Sequence, residues 1–218
     1  MKKHAIISVA IFALFISVDN LHSQDTSGMQ LFRQASDYVF SARRLSFIIT
    51  NIDKKGNPYY NTGFFVALPD RGYMKVDGVS EVQFTPTLLS AYSYDSNELV
   101  FQPRKTTAES VADNPFSILH KSDKGISVSV PQASELQGKA CMKFSITPEG
   151  RAYYSRADVY VAGQGNSFKV LRITVVLKNN QAFVMDITKA GPSEPDKISD
   201  YQLMVSEHPG AHIVDLRN

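Results

Sequence analysis

Few residues in this chain have both the type and the spacing for chemistry. Asp95 and Glu98 are three apart and could act as paired carboxylates. The Ser96–Asn97 between them is turn chemistry, so a hairpin accounts for the pair better than acid–base catalysis does. Cys141 is the sole cysteine and stands next to Met142 in an apolar stretch, which reads as an inert buried thiol rather than a nucleophile. The histidines are scattered. His4 and His22 lie near the N-terminus, and His120, His208 and His212 fall at expected element ends, where solvent exposure is the simplest reading. Gly163–Gln164–Gly165 is a lone Gly-x-Gly between two strands and reads as a turn. No His–Glu-x-x-His, Cys-x-x-Cys, Gly-x-Ser-x-Gly or phosphate-loop pattern occurs. The expectation is a protein that is not an enzyme and needs no cofactor or metal.

Composition points the same way. A net charge of +2 over 218 residues gives no footprint for nucleic acid. A 43% apolar content suffices for a real core, and 13 Phe and 6 Met with no Trp supply bulky, adaptable apolar surface. With one cysteine the fold must hold by burial and not by disulfides.

The N-terminus reads as an export signal. Lys2 and Lys3 precede an apolar run from Ala5 to Val18, followed by polar residues, with cleavage expected after Ser23. The run is shorter than the roughly 20 residues a membrane-spanning helix needs. No cysteine stands near the cut to take a lipid anchor. The expected organisation is therefore a signal peptide over residues 1–23 and one domain over 24–218.

Apolar residues at Met29, Phe32, Ala35, Val39 and Ala42 share one face of a helix expected over Met29–Arg44. Ser27 and Gln30 have the spacing of a capping box, and Arg43 and Arg44 would complement the helix dipole. From Leu45 the pattern becomes short strands: Leu45–Ile52, Tyr59–Leu68, Arg71–Val76, Val79–Phe84, Leu88–Tyr94 and Glu98–Pro103. Further on come Ile126–Pro131, Lys139–Thr147, Ser155–Val161, Phe168–Lys178, Gln181–Lys189 and Ile198–Val205. Short connections make neighbours antiparallel. Asp77–Gly78 has the type I′ hairpin signature.

A two-residue turn at Asn179–Asn180 would pair Val176 with Phe183 and Thr174 with Met185. Both faces of that hairpin would then be largely apolar, so the sheet must curl or be covered on both sides. Thr106-x-x-Glu109 is a second capping box, and Asn114–Pro115 opens a helix to Lys121 carrying Phe116, Ile118 and Leu119. The expected fold is mainly β with helices (α+β): one highly curved antiparallel sheet of around ten strands, an incomplete β-barrel, with two helical pieces over its hollow.

The order of these elements resembles the periplasmic outer-membrane lipoprotein carrier (LolA-like) family. Five segments carry the resemblance. They are a helix leading into Leu45–Ser46–Phe47, the strand Gly63–Phe64–Phe65–Val66 followed by Leu68–Pro69, and the hairpin Tyr94–Asp95 to Glu98–Leu99–Val100. The other two are Asn114–Pro115–Phe116 and the ending Pro209–Gly210 through Val214–Asp215–Leu216–Arg217. The chain departs from the family where Leu68 replaces an arginine before the proline, with Arg71 as the nearby substitute, and where Thr85–Pro86–Thr87 replaces an aspartate–glycine–lysine turn.

The resemblance implies a monomeric periplasmic carrier that shields acyl chains of lipoproteins, or another amphiphile, from inner to outer membrane. Its implied partners are an inner-membrane release complex and an outer-membrane acceptor. An acyl chain is held in a bilayer by about 0.8 kcal/mol per CH₂, so a carrier must offer an apolar hollow. Phe47, Ile49, Phe65, Met74 and Phe84 are candidates for its lining, joined by Phe101, Met142 and Phe144. Phe116 and Leu119 would sit on the lid. The alternative is a lipid-binding sensor or structural envelope protein of the same fold. An open hollow of several hundred Å³ favours carriage, and a filled one opposes it.

Overall fold

The computed structural model describes residues 28–41, 43–52, 56–68, 71–104, 114–120, 125–150, 152–192 and 201–217. The expected signal peptide, Ser27 of the first capping box and the Thr106–Glu109 box lie outside these residues.

Helix α1 spans Gly28–Phe40 and buries Leu31, Phe32, Ala35, Tyr38 and Val39. It ends before the two arginines. Arg43 and Arg44 open strand β1 (Arg43–Ile52) instead, with Arg43 over the Tyr38 ring at 4.8 Å and Arg44 over Phe64 at 4.2 Å. Their contribution is thus cation–π contact and not dipole compensation.

The strands that follow are β2 (Pro58–Ala67), β3 (Gly72–Val76), β4 (Ser80–Phe84), β5 (Leu88–Ser93) and β6 (Glu98–Pro103). After a 3₁₀ turn at Pro115–Leu119 come β7 (Ile126–Val128), β8 (Gln132–Leu136), β9 (Lys139–Pro148), β10 (Tyr154–Ala162), β11 (Lys169–Leu177), β12 (Ala182–Pro192) and β13 (His212–Asp215). They form one open sheet in the order β13-β6-β5-β4-β3-β2-β1-β12-β11-β10-β9-β7, with β8 also on β9. All pairings are antiparallel except β13 on β6, which is parallel. β1 pairs with β12 and joins the two halves, so the sheet is not one simple meander.

The unclosed sheet fits an incomplete barrel. The expected pair of covering helices is not confirmed: among the described residues α1 is the sole α-helix, and the Pro115 segment is a single 3₁₀ turn ending at Leu119. Asn114 caps that turn as expected, its Oδ1 accepting from the Phe116 amide at 3.0 Å, with Pro115 in the first position.

Two glycines let aromatic rings lie close against the sheet backbone. Phe47 pairs across strands with Gly63, and Phe84 with Gly72. A β-carbon on Gly63 would stand 2.7 and 2.8 Å from Phe47 ring carbons, and one on Gly72 would overlap the Phe84 ring. Each ring fills the space its partner leaves, as in aromatic rescue of a strand glycine. The inner faces of both halves then meet α1 and the 3₁₀ turn in one continuous core.

The β11–β12 hairpin turns over three residues, and Asn180 takes φ 63°. Val175 therefore pairs with Phe183, and Ile173 with Met185. This corrects the expected register by one residue and gathers Ile173, Val175, Phe183 and Met185 on the inner face. Arg172 and Asp186 meet on the outer face at 2.6 Å. At Asp77–Gly78 only the glycine has positive φ (68°), so the turn is not type I′. That geometry occurs at Gln137–Gly138, with φ 53° and 76°.

The C-terminal segment covers the outer face. Tyr201 packs with Val66 and Tyr73, and Leu203 with Tyr92 and Leu99. No strand forms over 201–205, because the Leu203 amide bonds the Gln83 side chain (2.8 Å) and not a neighbouring strand.

Candidate functional site

An aromatic ladder runs through the concave side. Phe47 meets Phe116 edge-on at 5.8 Å, and Phe116 stacks on Phe65 at 4.6 Å. Phe65 lies parallel to Phe84 at 6.1 Å, and Phe40, at the end of α1, meets Phe65 edge-on at 5.9 Å. Phe47, Phe65, Phe116, Leu119 and Phe144 are at most 1% exposed. The middle of the hollow is filled by these side chains.

Beside the ladder the structure is open. A cleft of about 690 Å³ lies between the end of α1, the end of the 3₁₀ turn and strands β2–β4. Its floor is Phe40, Phe65, Ala67, Leu68 and Phe84, and its rim carries Asp37, Arg71, Arg104 and His120. That volume is in the usual range of small-ligand sites, about 300–1,000 Å³. Arg104 lies over the Phe84 ring at 5.0 Å and donates from Nη1 to the Thr85 carbonyl at 2.9 Å. Burial holds its pKa below the ordinary guanidinium value, yet it stays cationic. His120 meets Phe40 edge-on at 5.5 Å. Loss of water on its inward side, and then the charge of Arg104, lower its pKa.

Of the ten residues expected to line a hollow, Phe65 and Phe84 line this cleft. Phe47, Ile49, Met74, Phe116, Leu119 and Phe144 belong to the packed core beside it, and Met142 packs against that core partly exposed. Phe101 is on the opposite face: it pairs with Ser90 and groups with Tyr92, Leu99 and Leu203, under the Arg217 guanidinium at 5.1 Å. Sequence reasoning missed Phe40, Arg104 and His120. Phe40 falls outside the helix stripe of Met29, Phe32, Ala35, Val39 and Ala42, and Arg104 follows the proline that ends β6, so neither carries a periodic signal.

A second polar cluster lies on the outer face around Glu81, which is 4% exposed. Its carboxylate accepts from Lys75 Nζ (2.8 Å), Tyr73 OH (2.7 Å) and Tyr94 OH. Burial opposes its charge, but these three donors outweigh it and lower the pKa. The Lys75 pKa rises in return, chiefly through the same bond. His208 from the C-terminal segment stacks on Tyr92 at 3.7 Å and brings Nε2 to 3.7 Å from Glu81. Every member is tied to Glu81 or its neighbours, and the cluster fastens the C-terminal segment to the sheet.

Among the described residues no group of three or more acidic, histidine or cysteine side chains could hold a metal. No described helix is long and apolar enough to cross a membrane.

Fold and site define an open β-sheet with an aromatic-floored cleft beside the 3₁₀ turn. The chain is similar to an uncharacterized conserved protein from Thermus thermophilus, at 10% identity and TM-score 0.49, covering 86% of this chain and 98% of that one. It is similar to a LolA superfamily protein from Nitrosomonas europaea at 10% identity and TM-score 0.43, covering 81% and 98%. A DUF1329 family protein from Desulfovibrio piger has 12% identity and TM-score 0.46, covering 83% and 97%. No family profile and no curated protein sequence matches the chain.

Proposed function

We propose that this protein is a non-catalytic periplasmic carrier that shields acyl chains of lipids or lipoproteins on their way from inner to outer membrane. The observation that carries this reading is the open cleft of about 690 Å³ floored by Phe40, Phe65 and Phe84. Apolar rings without a directional polar grip can hold an acyl chain and let it go. The neighbouring Pro115–Leu119 turn is a short 3₁₀ segment whose buried side chains close the core beside the cleft, which suits a lid that moves when cargo needs more room.

The filled middle of the hollow favours a second reading, a sensor or structural protein of the same fold. The test is direct: solvent extraction of the purified protein followed by mass spectrometry is expected to return bound acyl lipid. Depletion in the source organism is expected to strand lipoproteins at the inner membrane, through lost delivery from a release complex to an acceptor. Bound lipid with intact sorting would refute carriage and leave the sensor; no lipid at all would leave only the structural protein.

A further inference from the structure

Several cations of this fold have a carboxylate at hand. Lys75 has Glu81, Lys143 and Arg156 share Asp158, Arg172 has Asp186, and Arg217 has Asp215. Arg104 differs. Among the described residues it has no carboxylate partner, and its one side-chain hydrogen bond goes to the neutral carbonyl of Thr85. It is half-buried with one face on Phe84, at the wall of the apolar cleft. A partly desolvated cation without a counter-charge is unfavourable until an anion joins it.

We propose that the cleft takes an amphiphile with an anionic headgroup, its phosphate or carboxylate oxygens on the Arg104 guanidinium and its acyl chain along Phe84, Phe65 and Phe40. This rests on the acyl-binding reading above and adds the headgroup class. The geometry suits it because Arg104 stacks on the ring that begins the floor, so head and chain are recognised on adjoining surfaces. Guanidinium is also the side chain best matched to the oxygens of such a group. His120 supplies a reporter: burial and Arg104 lower its pKa in the empty cleft, and a bound anion would raise it.

The experiment is calorimetry of the full chain with lysophosphatidylglycerol and with a monoacylglycerol of the same chain length, both below their micelle concentrations, and with inorganic phosphate. The anionic lipid is expected to bind about tenfold tighter than the neutral one, a gap of about 1.4 kcal/mol. Arg104→Gln should erase that gap while neutral-lipid binding persists, and Arg104→Lys should keep part of it. The His120 ring, followed by NMR titration, should gain affinity for its proton in the presence of the anionic lipid. Equal affinity of the two lipids for the unsubstituted protein overturns the headgroup inference and leaves acyl binding standing. Binding of neither lipid overturns both. Phosphate binding as tightly as the anionic lipid overturns the amphiphile in favour of a plain anion site. The lipid comparison needs no variant, so a poorly folding Arg104→Gln does not remove the test.

Discussion

Gly72→Ala tests whether the cleft wall is set by the close approach of Phe84 to a bare backbone. Gly72 has no positive φ, so by conformational entropy alone alanine should stabilise, by about 0.4–1 kcal/mol. The packing says the opposite. The new β-carbon would overlap the Phe84 ring and stand 2.9 Å from its Cε1, where carbons in contact are about 3.5 Å apart. The ring cannot retreat freely, because Phe65 lies parallel to it at 6.1 Å and Arg104 covers it at 5.0 Å. Overpacking of this kind costs about 1–3 kcal/mol, so the net expectation is a loss of about 1–2 kcal/mol. In a domain of this size that lowers Tm by about 2–8 °C. The assay is urea denaturation with a double-mutant cycle: in a Phe84→Ala background the same Gly72→Ala change should be neutral or stabilising. A variant as stable as the parent, or an equal loss in the Phe84→Ala background, would refute the reasoning.

Three further outcomes are expected. Glu81 has a lowered pKa in the fold, so the unfolded chain binds more protons in the acid range, and stability should be lost as pH falls from about 4.5 downward. Glu81→Gln should flatten that slope in pH-dependent urea midpoints and cost about 2 kcal/mol at neutral pH, less than the ~3–5 for a fully buried pair because Lys75 is 32% exposed. Asn114→Ala removes the cap on the Phe116 amide and should cost about 1 kcal/mol while speeding lipid uptake in stopped-flow measurements; an unchanged rate would separate the lid from uptake. Phe84→Ala should weaken binding of an acyl probe several-fold, whereas Phe101→Ala, on the other face, should leave it unchanged in the same titration.

Much of the strand layout was legible because half-buried strands alternate. From Arg43 to Pro103 the expected strands match to within two residues at each end, and Asn114–Pro115–Phe116 announced its cap. The β11–β12 register was not legible, since Val, Ile and Thr fill both faces and only the left-handed Asn180 decides whether two or three residues turn. β8 and β13 were missed because each takes its place from a partner strand: Gln132–Leu136 has little apolar alternation, and His212–Asp215 pairs far along the chain with β6. The same distance hid the fate of Phe101. Its strand has apolar residues on both faces, and only the C-terminal segment carrying Leu203 shows why the outer one is buried. Phe65 and Phe84 were recognisable as apolar lining, but the cationic half of the site was not. Arg104 matters because, among the described residues, no carboxylate pairs with it, and that is invisible in one dimension.

The filled centre of the hollow and the open cleft beside it fit one mechanism once the lid is costed. Phe116 is fully buried and touches Phe47 and Phe65. Exposing a buried Phe costs about 1.5–3 kcal/mol, and each aromatic pair adds about 0.5–1.5, so swinging the Phe116 ring alone out of the core costs roughly 2.5–6 kcal/mol. An acyl chain regains about 0.8 kcal/mol for every methylene it buries, so roughly three to eight methylenes beyond those already on the cleft floor offset the loss of that ring. On the carrier reading, a short chain therefore rests on Phe40, Phe65 and Phe84 without disturbing Phe116, and a long one displaces it. The closed core then holds the empty protein compact in water, and the cargo itself supplies the free energy that opens it.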